Sequence, residues 1–260
     1  MDLGLKGRVM LAAGASKGLG YGIAQALARD GARVSICSRS EADINAAADK
    51  LRADTGAEVI ATACDVRKMD EIERWVTSTV EQWGTIDGLL VNAGGPPAGF
   101  FSELTDEQWQ AAFELTLLSS IRMIRAALPH MQAGSAILAI TSSSVQEPIE
   151  RLGLSTVMRS GVTGLVKTLA DELAPKRIRI NTIVPGRIDT DRVTQLDQIS
   201  ANRSGKSLDE VRRGWESAIP FGRYGTIEEF GAAGAFLLSP AAAYITGTDI
   251  RVDGGKGRII

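Results

Sequence analysis

One stretch decides the fold of this chain: Val9-Met10-Leu11-Ala12-Ala13-Gly14-Ala15-Ser16-Lys17-Gly18-Leu19-Gly20. An apolar run suited to a buried strand enters a turn with three glycines, and a helix-like stretch, residues 21–29, follows at once. Gly14 allows a tight turn, Gly18 lets the main chain approach a ligand closely, and Gly20 lets the helix pack on the strand. Main-chain N–H groups and the helix dipole then favour a bound phosphate. The spacing is G-x-x-x-G-x-G rather than G-x-G-x-x-G, so a glycine-rich turn without a ligand is the alternative.

The composition is that of an ordinary globular chain. Its 260 residues are 44% hydrophobic and 23% charged, and a chain of this length can bury a full core. The formal net charge of −2 predicts no nucleic-acid partner and no membrane attachment, and no apolar run is as long as a membrane span. With one histidine and two separated cysteines, no metal site is expected. Cys37 and Cys64 are expected to be small buried hydrophobes, and the N-terminus has no signal-peptide core, so we expect a cytoplasmic protein.

Strand-like apolar runs alternate with amphipathic, helix-like stretches. We predict strands at Val9–Ala13, Arg33–Cys37, Glu58–Ala63, Gly88–Val91, Ala136–Thr141, Ile178–Ile183 and Asp249–Val252. We predict helices at Gly20–Arg29, Glu41–Asp54, Met69–Trp83, Asp106–Met131, Met158–Leu173 and Ile227–Leu238. Two of these begin with capping-box patterns at Thr105 and Thr226. Continuous apolar runs are typical of parallel strands, so the predicted fold class is α/β: a single doubly wound Rossmann-type domain, residues 1–260, with a parallel seven-stranded sheet and helices on both faces.

Residues 187–225 break this rhythm because they are polar and irregular. The segment follows the C-terminal end of a predicted strand, which is where open α/β sheets bind ligands. Long excursions in compact domains usually serve as lids or mobile loops, so we predict a substrate lid within the single domain. A solvated surface decoration is the alternative.

The end of the second predicted strand bears on the choice of dinucleotide. An Asp or Glu there would bind the free 2′-hydroxyl of an adenosine ribose, but this chain has Ser38 followed by Arg39. Lys17 adds a second cation within the glycine turn. The two cations favour a 2′-phosphate, and therefore NADP(H), with NAD(H) left open. The alternative is that both are ordinary surface charges.

Two further strand ends add candidates for cofactor binding. Asp65 follows the third strand and could accept a hydrogen bond from an adenine amino group, or it could cap the turn before the next helix. Asn92, Ala93 and Gly94 follow the fourth strand, and their small size would let a ribose approach the main chain closely.

These motifs, in this order and spacing, resemble the short-chain dehydrogenase/reductase family along nearly the whole chain, and the β-ketoacyl carrier-protein reductases most of all. The resemblance is carried by the glycine turn, Asp65-Val66, Asn92-Ala93-Gly94, Pro185-Gly186-Arg187-Ile188-Asp189-Thr190, Ile245-Thr246-Gly247 and Val252-Asp253-Gly254-Gly255. It implies the following cofactor-binding residues: Gly14, Ser16, Lys17, Gly18, Leu19, Gly20, Ser38, Arg39, Asp65, Val66, Asn92, Ala93, Gly94, Arg159, Pro185, Gly186, Ile188 and Thr190. It also implies a small-molecule carbonyl or alcohol substrate. A homotetramer, or a homodimer, is expected, with the Asp106–Met131 and Met158–Leu173 helices in the main interface.

The catalytic residues of the family are where this sequence departs from the pattern. Family members use Asn, Ser, Tyr and Lys, of which the Tyr donates the proton and the Lys lowers the tyrosine pKa and holds the ribose. Matching the motifs residue by residue puts Ser142 at the Ser position, with a shift to an adjacent serine left open. Ser155 falls at the Tyr position, Arg159 at the Lys position and Thr116 at the Asn position.

These replacements change the expected proton chemistry. Arg159 can donate to ribose hydroxyls but stays protonated, so it does not relay a proton as a lysine can. The aliphatic hydroxyl of Ser155 is a much weaker acid than a phenol. The three tyrosines, Tyr21, Tyr224 and Tyr244, are interpreted as packing residues, and His130 as a charge at a helix end far from the site. Other candidates for a proton donor or for contacts with a charged substrate are Glu147, Glu150, Arg151, Arg187, Asp189 and Arg192, with a solvated loop as the alternative.

Two functions follow as hypotheses. The first is an NAD(P)(H)-dependent oxidoreductase that transfers a hydride to or from a carbonyl or secondary alcohol, similar to a 3-oxoacyl reductase, with non-standard acid–base residues. The second is a catalytically impaired NADP(H)-binding sensor or scaffold protein. The resemblance places Ile188 and Thr190 at the nicotinamide end, and these residues and the long lid segment favour the first hypothesis, because a scaffold has no need of a substrate lid.

Overall fold

A computed structural model describes residues 2–258 and contains one seven-stranded sheet. Every pair of neighbouring strands is parallel, in the order β3-β2-β1-β4-β5-β6-β7. The order reverses beside β1, which is the signature of a doubly wound sheet, and the predicted α/β fold class is confirmed. The strands are β1 (Val9–Ala13), β2 (Arg33–Ser38), β3 (Val59–Ala63), β4 (Ile86–Val91), β5 (Met131–Ile140), β6 (Arg179–Pro185) and β7 (Asp249–Val252).

Helices cover both faces of the sheet. They are α1 (Gly18–Arg29), α2 (Glu41–Thr55), α3 (Met69–Trp83), α4 (Asp106–Ala112), α5 (Ser119–Ala127), α6 (Gly153–Leu173), α7 (Asp191–Ser204), α8 (Leu208–Ala218) and α9 (Ile227–Leu238). One buried apolar cluster joins the sheet to α1, α2 and α9, and a second joins its other face to α3, α5 and α6. Alternate residues of β1 serve the two clusters, with Met10 in the first and Leu11 in the second. Burial on both faces explains why this strand is apolar at every position.

Local capping signals set several helix boundaries. Thr105 and Thr226 each accept a hydrogen bond from the third helical N–H, and the side chains of Gln108 and Glu229 return the bond to the cap, so both predicted capping boxes are confirmed. The predicted helix Asp106–Met131 is too long, because its regular part ends at Ala127 and Met131 already pairs with Ile86 as part of β5. Its middle is a π-helical segment, Phe113–Leu118.

Residues 187–225 are not irregular as predicted, because they contain α7 and α8. Thr190 caps the first of these helices, and Gly205 ends it in a left-handed conformation with φ of 69°. Ser207 and Glu210 form a capping box at the start of the second helix. The low hydrophobicity of the segment hid these signals, because helical periodicity is weak where few residues are apolar. The ends of the segment lie together across the Ile188–Gly225 bridge, where the Asp189 N–H donates to the Gly225 carbonyl oxygen and the Gly225 N–H donates to the Arg187 carbonyl oxygen.

Helix length and hydropathy bear on any contact with a bilayer. Within residues 2–258, we find no helix that combines the length and the apolar character needed to cross a membrane.

Candidate cofactor and substrate cleft

A cleft of about 1830 Å³ runs along the C-terminal edge of the sheet. It begins at the glycine turn after β1, passes the ends of β2, β4 and β5, and reaches the first turns of α6 and α7. The carboxyl edge of a doubly wound sheet, next to the point where the strand order reverses, is where such folds bind their ligands. The volume exceeds that of an ordinary small-molecule pocket, so the cleft has room for two ligands side by side.

Each of the three glycines of the turn has the conformation or the close contact that the sequence predicted for it. Gly14 has φ of 59° and Gly18 has φ of 63°, a region that residues with a side chain rarely adopt. A Cβ at Gly18 would meet only the Thr190 methyl group, 3.9 Å away, so the main chain there is open to the cleft. A Cβ at Gly20 would instead lie 2.4 Å from the Gly14 carbonyl oxygen, which explains why the helix needs glycine at that contact.

Asn92 holds this turn from the neighbouring strand. Its Nδ2 atom donates to the carbonyl oxygens of Ala13 and Gly14, each at 3.2 Å. Ala93 and Gly94 continue along the cleft wall, and no atom lies within 4 Å of the place a Gly94 Cβ would occupy. The sequence predicted small residues here, but the role of the Asn92 amide is visible only once β1 and β4 are side by side.

The N-terminus of α1 fits a phosphate group. Its cap residue Lys17 makes no side-chain hydrogen bond to the helix, and the first turn contains no acidic residue. The first N–H groups of the helix are therefore left for a ligand, and Ser16, Gly18 and Leu19 all line the cleft beside them. This is the arrangement that binds the diphosphate of a dinucleotide in folds of this kind.

The two predicted 2′-phosphate cations have different surroundings. Ser38 and Arg39 line the cleft after β2, and Arg39 makes no ion pair in the part of the chain that the structure describes. Lys17 forms an exposed ion pair with Asp191 at 2.9 Å. The hydrogen bond and charge of that carboxylate raise the Lys17 pKa, and the same pair lowers the pKa of Asp191. Of the two cations, only Lys17 is therefore held in an ion pair among the described residues.

The contacts of Asp65 match the second alternative, in which it caps the turn before α3. Its carboxylate accepts from the Arg67 main-chain N–H at 3.1 Å and from the Arg67 guanidinium at 2.5 Å. The bond to that side chain is the main reason that the pKa of Asp65 is lowered. Val66 lines the cleft, whereas the Asp65 side chain is used in the turn before α3.

Beyond β5, the adjacent serines have distinct places. Ser142 and Ser143 line the cleft, whereas Ser144 is fully buried beneath them. The Ser144 N–H donates to Ser142 Oγ at 3.1 Å, and the two hydroxyl oxygens are 3.0 Å apart. When the Ser144 hydroxyl donates in this pair, the Ser142 proton is free to point into the cleft. The geometry therefore favours Ser142 over its neighbours as the serine that contacts a ligand.

Ser155 and Arg159 lie one turn apart on α6 and both line the same cleft. The Arg159 guanidinium donates to the Ile140 carbonyl oxygen at 2.6 Å, which ties it to the end of β5. Burial, with a contribution from the charge of Arg192, lowers the Arg159 pKa to about 10, so the group remains cationic at neutral pH. α6 begins five residues earlier than predicted, and this places Ser155 inside the helix rather than in the loop before it.

Three buried threonine hydroxyls, those of Thr116, Thr141 and Thr156, have no hydrogen-bond partner among residues 2–258. Thr116 is 3% exposed in the π-helical segment, a type of distortion that often marks functional sites. Its carbonyl oxygen accepts from the Ser120 hydroxyl at 2.6 Å. Thr141 is equally buried and lines the cleft directly before Ser142. Sequence reasoning did not single out Thr141, because a threonine at the end of a strand carries no distinguishing signal.

The segment above the cleft is fastened by a buried cluster that sequence reasoning missed. Asp197 of α7 is fully buried and accepts from Arg187 at 2.5 Å and from the Tyr224 hydroxyl at 2.9 Å. The Arg187 guanidinium also stacks on the Trp215 ring of α8, with 3.7 Å between the guanidinium carbon and the ring centre. Burial, reinforced by the bond to Asp197, raises the Tyr224 pKa well above its ordinary value. Nothing in the sequence near Asp197 indicates burial, because its partners come from other elements.

The remaining predicted residues fall as follows. Pro185, Gly186, Ile188 and Thr190 line the cleft at the end of β6, and Gly186 packs closely on Asp253. Tyr224 and Tyr21 are buried as expected, whereas the interpretation of Tyr244 as a packing residue is wrong, because that side chain is fully exposed. Cys37 and Cys64 are buried free thiols, as predicted.

Comparison with known proteins agrees with this architecture. Residues 14–256 match a family model described as enoyl-(acyl carrier protein) reductase. The chain is 32% identical to the 3-oxoacyl-(acyl-carrier-protein) reductase of Chlamydia muridarum, over 96% of this chain and 98% of that protein. The crystal structure of L-sorbose reductase from Gluconobacter frateurii, complexed with NADPH and L-sorbose, superposes with a TM-score of 0.94 at 29% identity and covers 100% of both chains.

A second solved structure bears on the unusual residues. It is the NADPH-bound short-chain oxidoreductase from Pseudomonas aeruginosa PAO1, described as containing an atypical catalytic centre. The two chains are 30% identical with a TM-score of 0.87, over 97% of this chain and 98% of that one. Fold and cleft together define a dinucleotide-binding protein of the Rossmann class. The family match and the full-length relatives assign the chain more closely: it belongs to the short-chain dehydrogenase/reductase family.

Proposed function

We propose that this protein is an NADP(H)-dependent oxidoreductase that interconverts a carbonyl compound and a secondary alcohol with a modified set of acid–base residues. The observation that carries the proposal is that Ser142, Ser155 and Arg159 line one continuous cleft with the glycine turn. The NADPH complexes among its structural neighbours and its resemblance to 3-oxoacyl reductases support it further.

The residues around the cleft fit the cofactor. The open N-terminus of α1 and the bare main chain at Gly18 would hold the diphosphate, and Arg39 would pair with the 2′-phosphate. Arg159 would donate to the hydroxyls of the second ribose. The bound nicotinamide supplies or accepts the hydride.

The side chains of the protein would position and polarise the substrate. Ser142, whose oxygen is held by Ser144, donates a hydrogen bond to the carbonyl oxygen and stabilises the charge that develops there. By the family resemblance, Ser155 takes the position of the general acid; the proton that its hydroxyl would give to the substrate oxygen would be replaced by one from water, because a serine is a weak acid. Residues of α7, together with Trp215 of α8, line this end of the cleft and would limit access of bulk water to a bound substrate.

The test is oxidation of NADPH with a panel of ketones, aldehydes, 3-oxoacyl thioesters and ketoses. Ser142→Ala should lower kcat/KM about 100-fold, because general-acid and hydrogen-bond assistance is typically worth that much. Ser160→Ala is the control, since Ser160 is an exposed serine of α6 whose hydroxyl donates to the Thr156 carbonyl oxygen. Equal rates for the two variants would contradict the role of Ser142.

The second candidate function is a catalytically impaired sensor or scaffold, favoured by the replacements at Thr116, Ser155 and Arg159. It predicts that NADPH stabilises the protein against heat but is never consumed. The double change Ser155→Tyr with Arg159→Lys separates the two functions. If it creates turnover where the unmodified protein has none, the cleft is intact and only the acid–base residues are lost.

For the assembly we propose a homotetramer, with a homodimer as the alternative, in which α4, α5 and α6 form the main interface. Support comes from the family resemblance, which implies that the Asp106–Met131 and Met158–Leu173 helices form the main interface. Light scattering on the purified protein measures the oligomeric state directly.

A cytoplasmic location is supported by the two free thiols, which suit a reducing compartment.

A further inference from the structure

The positive charges at the substrate end of the cleft are not all neutralised. Among the cleft-lining arginines, Arg151, Arg187 and Arg203 pair with Glu103, Asp197 and Glu150, respectively. Arg159 and Arg192 differ from these three, because in the described part of the chain their hydrogen bonds go only to main-chain carbonyl oxygens, of Ile140 and Pro96. Two guanidinium groups therefore face the same cleft without a carboxylate.

Several acidic groups of the same cleft have other partners. Glu147 accepts from the Arg258 main-chain N–H at 2.9 Å, and Asp253 accepts from the N–H groups of Gly255 and Gly257, also at 2.9 Å. Asp189 is ion-paired with Arg212 at 3.2 Å, and Asp191 with Lys17 at 2.9 Å. Within residues 2–258, no ion pair joins a carboxylate to Arg159 or to Arg192.

Arg159 and Arg192 line the same cleft, and the charge of Arg192 contributes, after burial, to the lowered pKa of Arg159. Like charges that lack a counter-ion are costly, most of all for Arg159, which is partly buried. The ribose hydroxyls that Arg159 would hold are neutral and leave this charge uncompensated. The buried Thr141 hydroxyl, which lines the cleft and lacks a partner, offers one further donor.

We propose that Arg192, together with Arg159, binds an anionic group of the substrate, so that the protein acts on an oxo acid or a hydroxy acid rather than on a neutral carbonyl compound. The inference rests on the proposed oxidoreductase function and specifies its substrate class. Arg192 is a specificity-determining residue in this arrangement. It lies at the start of α7, where its Nη2 atom donates to the Pro96 carbonyl oxygen at 3.3 Å across the mouth of the cleft.

The test compares acids with their methyl esters, which have nearly the same shape but no charge. We measure kcat/KM with NADPH for a series of 2-oxo and 3-oxo acids of four to eight carbons and for the matching esters. The acids should be favoured about 10- to 100-fold, the value of a hydrogen bond to a charged group. Arg192→Gln should remove most of this preference, and Arg192→Lys should keep part of it. Arg203→Gln, which removes a cleft arginine that already has its own carboxylate, should leave the acid-to-ester ratio unchanged.

Binding measurements separate the substrate anion from the cofactor diphosphate as the partner of Arg192. If Arg192 holds the substrate, Arg192→Gln leaves the NADPH dissociation constant within about twofold and weakens protection of the NADP⁺-loaded protein by the acids. If the NADPH dissociation constant rises tenfold or more and the acid-to-ester ratio stays the same, Arg192 binds the cofactor and the inference is overturned.

Failure of the inference and failure of the proposed function look different. Equal rates for acids and esters, together with NADPH consumption, overturn the inference alone. Absence of NADPH consumption with every compound overturns the proposed function. In that case, binding of the acids and of their esters is measured with the unmodified protein and with Arg192→Gln. Acids that bind the unmodified protein no tighter than their esters do would overturn the anion site.

Discussion

The two ends of the cleft are built in different ways. At the cofactor end, the glycine turn, the N-terminus of α1 and the residues after β4 act mainly through main-chain atoms and through the absence of side chains. At the substrate end, the site is held by side-chain pairs between elements distant in sequence, such as Arg187 with Asp197 and Arg203 with Glu150. The cofactor end should tolerate substitutions that keep its glycines in place. The substrate end should lose stability when one partner of a buried charged pair is removed.

The largest effect should come from the buried cluster at the substrate end. Asp197→Ala leaves Arg187 without its carboxylate, and breaking a buried ion pair by removing one partner costs about 3–5 kcal/mol. Urea unfolding measures the loss. Tyr224→Phe is the matched control, because it removes only one hydrogen bond to the same carboxylate and should cost about 1.5–3 kcal/mol. Equal losses for the two variants would mean that the Arg187 pair does not dominate the cluster.

The second effect tests the cofactor end. Gly20→Ala places a methyl group 2.4 Å from the Gly14 carbonyl oxygen, so the turn must move and the phosphate donors with it. Overpacking costs about 1–3 kcal/mol, and the NADPH dissociation constant should rise at least tenfold in a fluorescence titration. Gly214→Ala in α8 is the control, because no atom lies within 4 Å of the added methyl group. An unchanged dissociation constant for Gly20→Ala would show that the turn does not bind the phosphate.

A third and smaller effect distinguishes the two cations near the predicted 2′-phosphate. Arg39→Gln should weaken NADPH binding about tenfold and leave NADH binding unchanged, because it removes one charge-assisted contact. Lys17→Gln should have a weaker effect, since Lys17 is already paired with Asp191. Titrations with NADPH and NADH measure whether Arg39→Gln weakens NADPH binding more than Lys17→Gln does. Equal loss of NADPH and NADH binding would argue against a 2′-phosphate site at Arg39.

The smallest effect is a pH dependence at an exposed local motif. The Glu229 carboxylate accepts from Arg223 and from the Thr226 N–H, and these bonds lower its pKa to about 2 from an ordinary 4.5. A depressed folded-state pKa contributes stability that is present above pH 4.5 and is lost as the pH falls toward 2. The Tm difference between the unmodified protein and Glu229→Gln should therefore be constant above about pH 6 and shrink below pH 4.5. A difference that grows as the pH falls would contradict this sign.

Much of the cofactor end was predictable from neighbouring residues. The strand, the three glycines and the helix are consecutive, and the missing carboxylate after β2 needs no partner to be recognised. The sequence matched Ser155 and Arg159 to two catalytic positions of the family, but the predicted helix began at Met158, and only the structure places both residues on α6. The sequence could not decide whether Asp65 accepts from an adenine or caps the turn before α3, because this depends on where the Arg67 side chain lies.

The sequence by itself determined the fold class and the glycine turn, and it predicted a phosphate site at that turn and a departure from the family's catalytic residues. All of these depend on local spacing and on residue chemistry. Only the tertiary structure decided that residues 187–225 contain two helices fastened by a buried Asp197. It also decided that Ser144 is buried whereas Ser142 and Ser143 line the cleft, and which arginines lack a carboxylate partner. The physical reason is that charge neutralisation and burial depend on distances between elements, which are set when the chain packs.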